Sequence, residues 1–201
     1  MGLLRNIPKG SDAVRRSLIL AGGGMRLAYQ AGVLKAMEEA GLQFAHVDGT
    51  SGGIFNAAML DSRLTPDEIA SRWRKLNVRD FVSYRPLREY FNPLGMQAFG
   101  DADRIRKRIF PQLGIDATKI RSNEKITATF NVCNFSDKSV EAIPHTRVTE
   151  DHLIAGMSLP IFMPAISIDN KWYSDAVWIK DANLMEAVRH GARDFRGFCL
   201  P

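Results

Sequence analysis

The run Phe44-Ala-His-Val-Asp48-Gly-Thr-Ser-Gly-Gly53-Ile-Phe-Asn-Ala-Ala-Met-Leu60 decides the fold. Its first five residues read as a strand and its middle five match G-x-S-x-G. Ile54 to Leu60 is apolar on nearly every side, as a buried helix is. A strand that turns through glycines into a helix places Ser51 at the corner, with its hydroxyl lifted clear of the sheet. Gly49 and Gly53 allow so sharp a bend because a Cβ at either place would crowd the neighbouring elements. Ser51 also falls at a helix N-terminus, where the Gly52 amide and the helix dipole favour a developing oxyanion. On its own the pattern also describes a Gly/Ser-rich turn, because five-residue patterns recur by chance.

The same order of elements occurs once upstream. Ser17-Leu-Ile-Leu-Ala21 is a short apolar strand closed by Gly22-Gly23-Gly24. Leu27, Ala31, Leu34 and Met37 then recur at helical spacing until Gly41 ends the helix. The loop Gly22-Gly23-Gly24-Met25-Arg26 therefore directs several unpaired amides at one place, which suits either a phosphate cradle or an oxyanion hole. The Gly-Lys-Ser/Thr ending of a P-loop is missing, and Leu27 occupies the third glycine position of a dinucleotide fingerprint. The serine elbow nearby favours the oxyanion hole.

Further along, Thr65-Pro66-Asp67-Glu68 predicts a capping box with proline at the first helical position, and Ile69, Trp73 and Leu76 face inward. From Asn77 to Asn123 the pattern loosens, with three prolines, several aromatics and a basic helix around Arg104 to Phe110. Residues 77–123 are expected to be a lid or insertion. Lys125 to Phe135 reads as a long strand, Ser139 to Ile143 as its hairpin partner, and Thr149 as the cap of a short helix. Ala165 to Tyr173 reads as a strand or hairpin, Asn183 to His190 as a helix stopped by Gly191, and Phe195 to Leu200 as one more strand. Alternating strands and helices imply an α/β fold with a largely parallel sheet. One domain is expected over 17–201, preceded by a loose polar arm over 1–16.

The 201 residues are 45% hydrophobic and 24% charged, a globular composition. The formal charge of +5 suits an anionic partner without choosing a lipid headgroup over a nucleic acid. Cys133 and Cys199 belong to no closely spaced pair or Cys/His cluster, so buried reduced thiols are expected. The N-terminal apolar run is too short for a secretory signal, and Asn6 stands where myristoylation wants Ser or Thr. No segment approaches the roughly 20 apolar residues of a spanning helix, so a cytoplasmic location is expected.

A nucleophilic serine needs a base, usually histidine. His46 lies within the strand before the elbow, where a core or sheet-edge role is expected, and His145 and His152 have no spacing that ties them to a serine. Ser51, Asp175 and His190 follow the chain order of an α/β-hydrolase triad. However, His190 directly precedes the helix-ending Gly191, where a histidine complements the dipole. Only one strand precedes the glycine loop, whereas the hydrolase fold needs three.

Three stretches stand in order: Leu18 to Leu60, with Gly-Gly-Gly-Met-Arg, Tyr29-Gln-Ala-Gly-Val-Leu34 and Gly-Thr-Ser-Gly-Gly; Ile154 to Pro164; and Tyr173-Ser-Asp175-Ala-Val followed by Asp181-Ala-Asn-Leu184. In these stretches the chain resembles the patatin-like phospholipases, acyl hydrolases with a serine and aspartate dyad. The resemblance covers nearly everything from Ser17 and implies a three-layer α/β/α fold. It implies Ser51 as nucleophile, Asp175 as its base, and an oxyanion hole from Gly22, Gly23, Gly24, Met25, Arg26 and Gly52. The donors there would be the amides of Gly23, Gly24 and Gly52, with Arg26 as a loop anchor. Two positions depart from the family's pattern. Ala176 follows Asp175 where glycine is usual, and a methyl group there displaces the aspartate if its backbone takes positive φ. Leu27 follows Arg26, again in place of glycine. Relatives generally continue past the strand in which this chain stops at Pro201, so an incomplete or minimal version is expected.

The implied reaction is cleavage of an acyl ester, with a lipid or other acyl ester as substrate and no metal or organic cofactor. Tyr84, Leu87, Tyr90, Phe91, Leu94 and Met96 beside Arg79, Arg85 and Arg88 suit peripheral contact with an anionic membrane, although the poor periodicity of the segment favours a packed insertion with solvated arginines. No nucleic-acid partner is expected, and the oligomeric state is left open. Two other classes fit these residues: a catalytically weak family member with a binding or regulatory role, and a nucleotide-phosphate binder using Gly22 to Gly24.

Overall fold

The computed structural model describes residues 3–4, 15–24, 27–77, 80, 102, 104–159 and 163–198. Most of the expected arm 1–16, Met25 and Arg26, the aromatics and arginines expected to form the lid between Arg79 and Phe99, residues 160–162, Cys199 and Pro201 lie outside them.

Strand β1 (Arg16–Leu20) leads to α1 (Leu27–Glu39), β2 (His46–Thr50) and α2 (Gly53–Asp61), the two strand-to-helix units expected from the glycine turns. Every residue of α2 is buried, which explains its all-round apolar sequence. The predicted capping box opens α3 (Pro66–Lys75). Thr65 accepts from the Glu68 amide, the Glu68 carboxylate accepts from the Thr65 amide, and Pro66 supplies the first turn.

Residues 105–109 are wound as a π-helix rather than the simple basic helix expected there, with the Phe110 amide donating to the Ile105 carbonyl. The wider turn lets Ile105, Ile109 and Phe110 all enter the core while Lys107 and Arg108 stay exposed. Helices α4 (Phe110–Leu113) and α5 (Ala117–Arg121) follow, and Leu113 and Ile120 join the same core.

The second half builds the sheet outward. Strands β3 (Thr127–Asn134) and β4 (Ser139–Pro144) form a hairpin, followed by α6 (Glu150–Ala155) and the hairpin β5 (Ile166–Ile168) and β6 (Lys171–Asp175). The β5–β6 turn is tight, with Asp169 and Asn170 both at positive φ. Helix α7 (Leu184–Arg189) and β7 (Asp194–Phe198) complete the described chain.

The seven strands run in the order β5-β6-β3-β2-β1-β7, with β4 also paired to β3. Strands β7, β1, β2 and β3 are mutually parallel, and β4 and β6 join β3 antiparallel. The sheet is parallel at its centre and antiparallel at one side.

The two faces of the sheet differ in chemistry. Leu18, Leu20, Val47, Ala128, Phe130 and Val132 belong to one hydrophobic core with α2 and α3. The alternate positions are equally buried but mostly polar, with Ser17, His46, Asp48, Thr50, Thr129 and Asn131 beside the apolar Ile19 and Cys133. Helix α7 lies on that polar side, where His190 stacks on His46 with ring centroids 4.3 Å apart. Helices thus flank both faces in an α/β/α arrangement. Among the described residues, no helix is long and apolar enough to cross a membrane.

Candidate active site

The sheet register brings the two ends of the site together. Strand β3 pairs along one edge with β2 up to Thr50↔Asn131, and with β6 from Val132↔Asp175 onward. Strand β4 spans Thr129 to Asn134 on the other edge, so β2 and β6 must lie end to end on the shared one. Asn131 and Val132 are consecutive, so the residue after Thr50 meets Asp175 although 124 positions separate them in sequence.

At that junction the Ser51 hydroxyl donates to Asp175 Oδ2 at 2.6 Å. The other carboxylate oxygen accepts from the Val177 amide at 2.9 Å, and the Asp175 amide donates to the Ser158 carbonyl at 3.1 Å. Asp175 is fully buried, and burial raises its pKa to about 6. The hydrogen bonds from Ser51 and Val177 oppose that rise, whereas the nearby charge of Asp181 adds to it. A carboxylate so placed is a stronger base than an exposed one and is still ionised at neutral pH.

The elbow stores its strain at the nucleophile. Ser51 has φ of 53°, while Gly49, Gly52 and Gly53 are absent from the positive-φ positions. The glycines are required by close approach instead. A Cβ at Gly53 would overlap the Leu20 carbonyl oxygen, and one at Gly49 would lie 2.9 Å from Ala57 Cβ. Ser51 O accepts the Ile54 amide at 3.0 Å, which sets the serine at the N-terminus of α2.

The glycine loop passes directly over the serine, since a Cβ at Gly22 would lie 3.0 Å from Ser51 Cβ. The Gly22 amide donates to Asp181 Oδ1 at 3.1 Å, so it anchors the loop. Gly23 is half-buried, and Gly24 is exposed with φ of 55°. Below the loop, Gln30 donates to the Ala21 carbonyl at 2.9 Å, and Asn56 donates to both Gln30 Oε1 and the Leu27 carbonyl. These two buried amides brace the loop between α1 and α2.

Sequence reasoning missed a buried polar chain beneath the elbow. His46 bonds Ser17 Oγ at 2.9 Å and Thr129 Oγ1 at 3.0 Å. Thr129 donates to Asp48 Oδ1 at 2.5 Å, and Asn131 donates to Asp48 Oδ2 at 2.6 Å. Burial pushes Asp48 up to about 7 and His46 down to about 3, so both are held toward their neutral forms. The visible signal was the alternation of polar residues along β2 and β3, which a solvent-facing strand would also show.

No histidine is placed to serve Ser51. His46 fills the core role expected of it, and His190 stacks on it with Nε2 3.2 Å from Glu186 Oε1. His145 accepts the Ala128 amide at 2.9 Å, and His152 completes a capping box with Thr149. Cys133 is buried and free, in accord with a reduced thiol.

The two departures from the family's pattern are accommodated. Ala176 begins a 3-10 turn and is absent from the positive-φ positions, so its buried methyl does not displace Asp175. Leu27 is buried over the elbow, close enough that a Cβ at Gly52 would lie 2.5 Å from its Cδ2.

Known proteins place the chain in a family and a fold. The family model described as "Patatin-like phospholipase" matches residues 18–188. A lysophospholipase of Aspergillus terreus, "Lysophospholipase nte1", is 52% identical over 42 residues, which are 21% of this chain and 3% of that protein. The crystal structure of VipD from Legionella pneumophila superposes with a TM-score of 0.59 at 12% identity, covering 89% of this chain and 50% of that one. The chain therefore spans half of VipD's length, and the likeness shows the fold alone.

Proposed function

This chain belongs to the patatin-like phospholipase family, and on that premise we propose that it is a serine acyl hydrolase cleaving carboxylic ester bonds of phospholipids or other acyl lipids. The observation that carries the reading is the 2.6 Å hydrogen bond from Ser51 Oγ to the buried Asp175 carboxylate.

In this mechanism Ser51 Oγ attacks the ester carbonyl as its proton passes to Asp175 Oδ2. The oxyanion that forms is held by the amides of Gly23, Gly24 and Gly52 at the head of α2, with Met25 and Arg26 in the same loop. The ester C–O bond then breaks, and the leaving alcohol takes the proton from Asp175. Water attacks the resulting acyl-enzyme, gives its proton to the same carboxylate, and Ser51 regains it as the acid departs. The residues between Phe81 and Phe99 are proposed as the part of the chain that meets an anionic membrane. Vesicle flotation tests that contact, and equal recovery on neutral and anionic vesicles would contradict it.

The reaction class is tested by chain-length profiling with nitrophenyl esters on the native protein, Ser51→Ala and Asp175→Asn. Turnover is expected to fall at least about 10³-fold in Ser51→Ala with folding unchanged. Persistent turnover in a folded Ser51→Ala protein would overturn the assignment.

A further inference from the structure

We propose that Asn131 is a positioning residue for this reaction, acting by tying the strand that carries Ser51 to the loop that follows Asp175. The inference rests on the dyad reading above and adds to it a residue whose side-chain hydrogen bonds go to Asp48, Gly49, Thr50 and Asn183 and not to Ser51 or Asp175.

Asn131 occupies the position on β3 where the two halves of the site are spliced, opposite Thr50 and one residue before the partner of Asp175. Its side chain is buried, and its hydrogen bonds run in two directions. Toward β2, Nδ2 donates to Asp48 Oδ2 at 2.6 Å and Thr50 Oγ1 at 2.9 Å, with the Gly49 carbonyl sharing one of its two hydrogens at 3.2 Å. Toward the loop, Oδ1 accepts from Asn183 Nδ2 at 2.8 Å. Asn183 lies two residues beyond Asp181, whose carboxylate holds the Gly22 amide against Ser51. One amide group thus fixes the three residues before the nucleophile relative to the loop that sets the height of the glycine turn.

The chemistry of asparagine matters here, because no other small side chain donates to a carboxylate and a hydroxyl while accepting from a second amide. A valine would suit the strand but leave Asp48 Oδ2 and Asn183 Nδ2 without these partners. Freed from that tie, the elbow and the loop can shift independently. A displacement of about 1 Å at a reacting centre costs on the order of 10²-fold in rate.

The test measures kcat and KM for a soluble nitrophenyl ester in Asn131→Ala, Asn183→Ala and the double variant. Each kcat is expressed per active serine titrated with a fluorophosphonate. We expect kcat to fall about 10- to 10²-fold in Asn131→Ala with KM within about twofold, because the group acts on geometry and not on binding. The double variant should be no slower than the slower single one, since both cut the same link. Asn131→Asp should lose activity, and Asp48→Asn/Asn131→Asp, which exchanges acceptor and donor, should regain most of it. A purely structural role predicts a lower Tm with kcat per titrated serine within twofold of native in folded Asn131→Ala, and that result would overturn the proposal. If Asn131→Ala does not fold, an unchanged kcat in Asn183→Ala would do the same. Turnover that survives Ser51→Ala would instead overturn the dyad reading itself, so the two failures are distinguishable.

Discussion

The two faces of the central sheet bury their side chains to the same degree by opposite means. On one face Leu18, Leu20, Val47, Phe130 and Val132 pack against α2, and the stabilisation comes from apolar area removed from water. On the other, Ser17, His46, Asp48, Thr50, Thr129 and Asn131 satisfy one another through hydrogen bonds under α7. An apolar layer tolerates small shifts, whereas a hydrogen-bonded one fixes separations to a few tenths of an ångström. The site needs both properties. Asp175 is registered against Val132 of the apolar face, where burial raises its pKa, while the strand leading to Ser51 is held by Asn131 of the polar face.

The largest effect should come from emptying the apolar face. Phe130→Ala removes a fully buried ring and is expected to cost about 3–5 kcal/mol, with the same loss at pH 5 and pH 8. Denaturant midpoints at both pH values check this, and a loss that changed with pH would break the contrast.

On the polar face, part of the pH dependence of stability should come from Asp48, alongside the buried carboxyls of Asp61 and Asp175 elsewhere, which burial also raises. Asp48 has its folded pKa raised from 3.8 to about 7, so the folded state binds the proton more tightly than the unfolded chain. That contribution to stability is complete below about pH 4 and declines as pH rises to about 7. Asp48→Asn should remove the decline, narrowing the stability difference between pH 4 and pH 8 by on the order of 2–4 kcal/mol. A variant with the native pH profile would show that the carboxylate is ionised without penalty.

A smaller effect is expected at the junction. Asp175 must be ionised to accept a proton, so kcat/KM should rise with pH through a midpoint near 6. Asp181→Asn removes a neighbouring negative charge and keeps an acceptor for the Gly22 amide, so the midpoint should move to lower pH. An upward shift would contradict the role given to that charge. Gly52→Ala should cost about 1–3 kcal/mol, because its Cβ meets Cδ2, Cδ1 and Cγ of the buried Leu27, which must repack. Gly53→Ala meets backbone instead and should be far worse.

What the sequence made legible was local. The elbow, the glycine loop, the Thr65 capping box and the αL stop at Gly41 are each written in a run of about five residues or fewer, so their patterns survive in one dimension even where distant contacts require them. The π-helical winding at 105–109 did not, because Arg106, Lys107 and Arg108 dominate the sequence while the core alone selects Ile105, Ile109 and Phe110. Asn131 and Asp48 were illegible for a related reason. Their meaning lies in a register between strands 83 positions apart, and an isolated polar residue in a strand carries no record of its partner. Asp175 as partner of Ser51 came from resemblance alone, since nothing in spacing reveals that β2 and β6 share an edge of β3.

The reactivity of Ser51 is the most direct test of the serine and aspartate pair. Fluorophosphonate labelling followed by peptide mapping should place one adduct on Ser51 in the native protein, at a rate that rises with pH around 6 and is lost in Asp175→Asn. An adduct on a different residue, or an Asp175→Asn protein that labels Ser51 at the native rate, would contradict it.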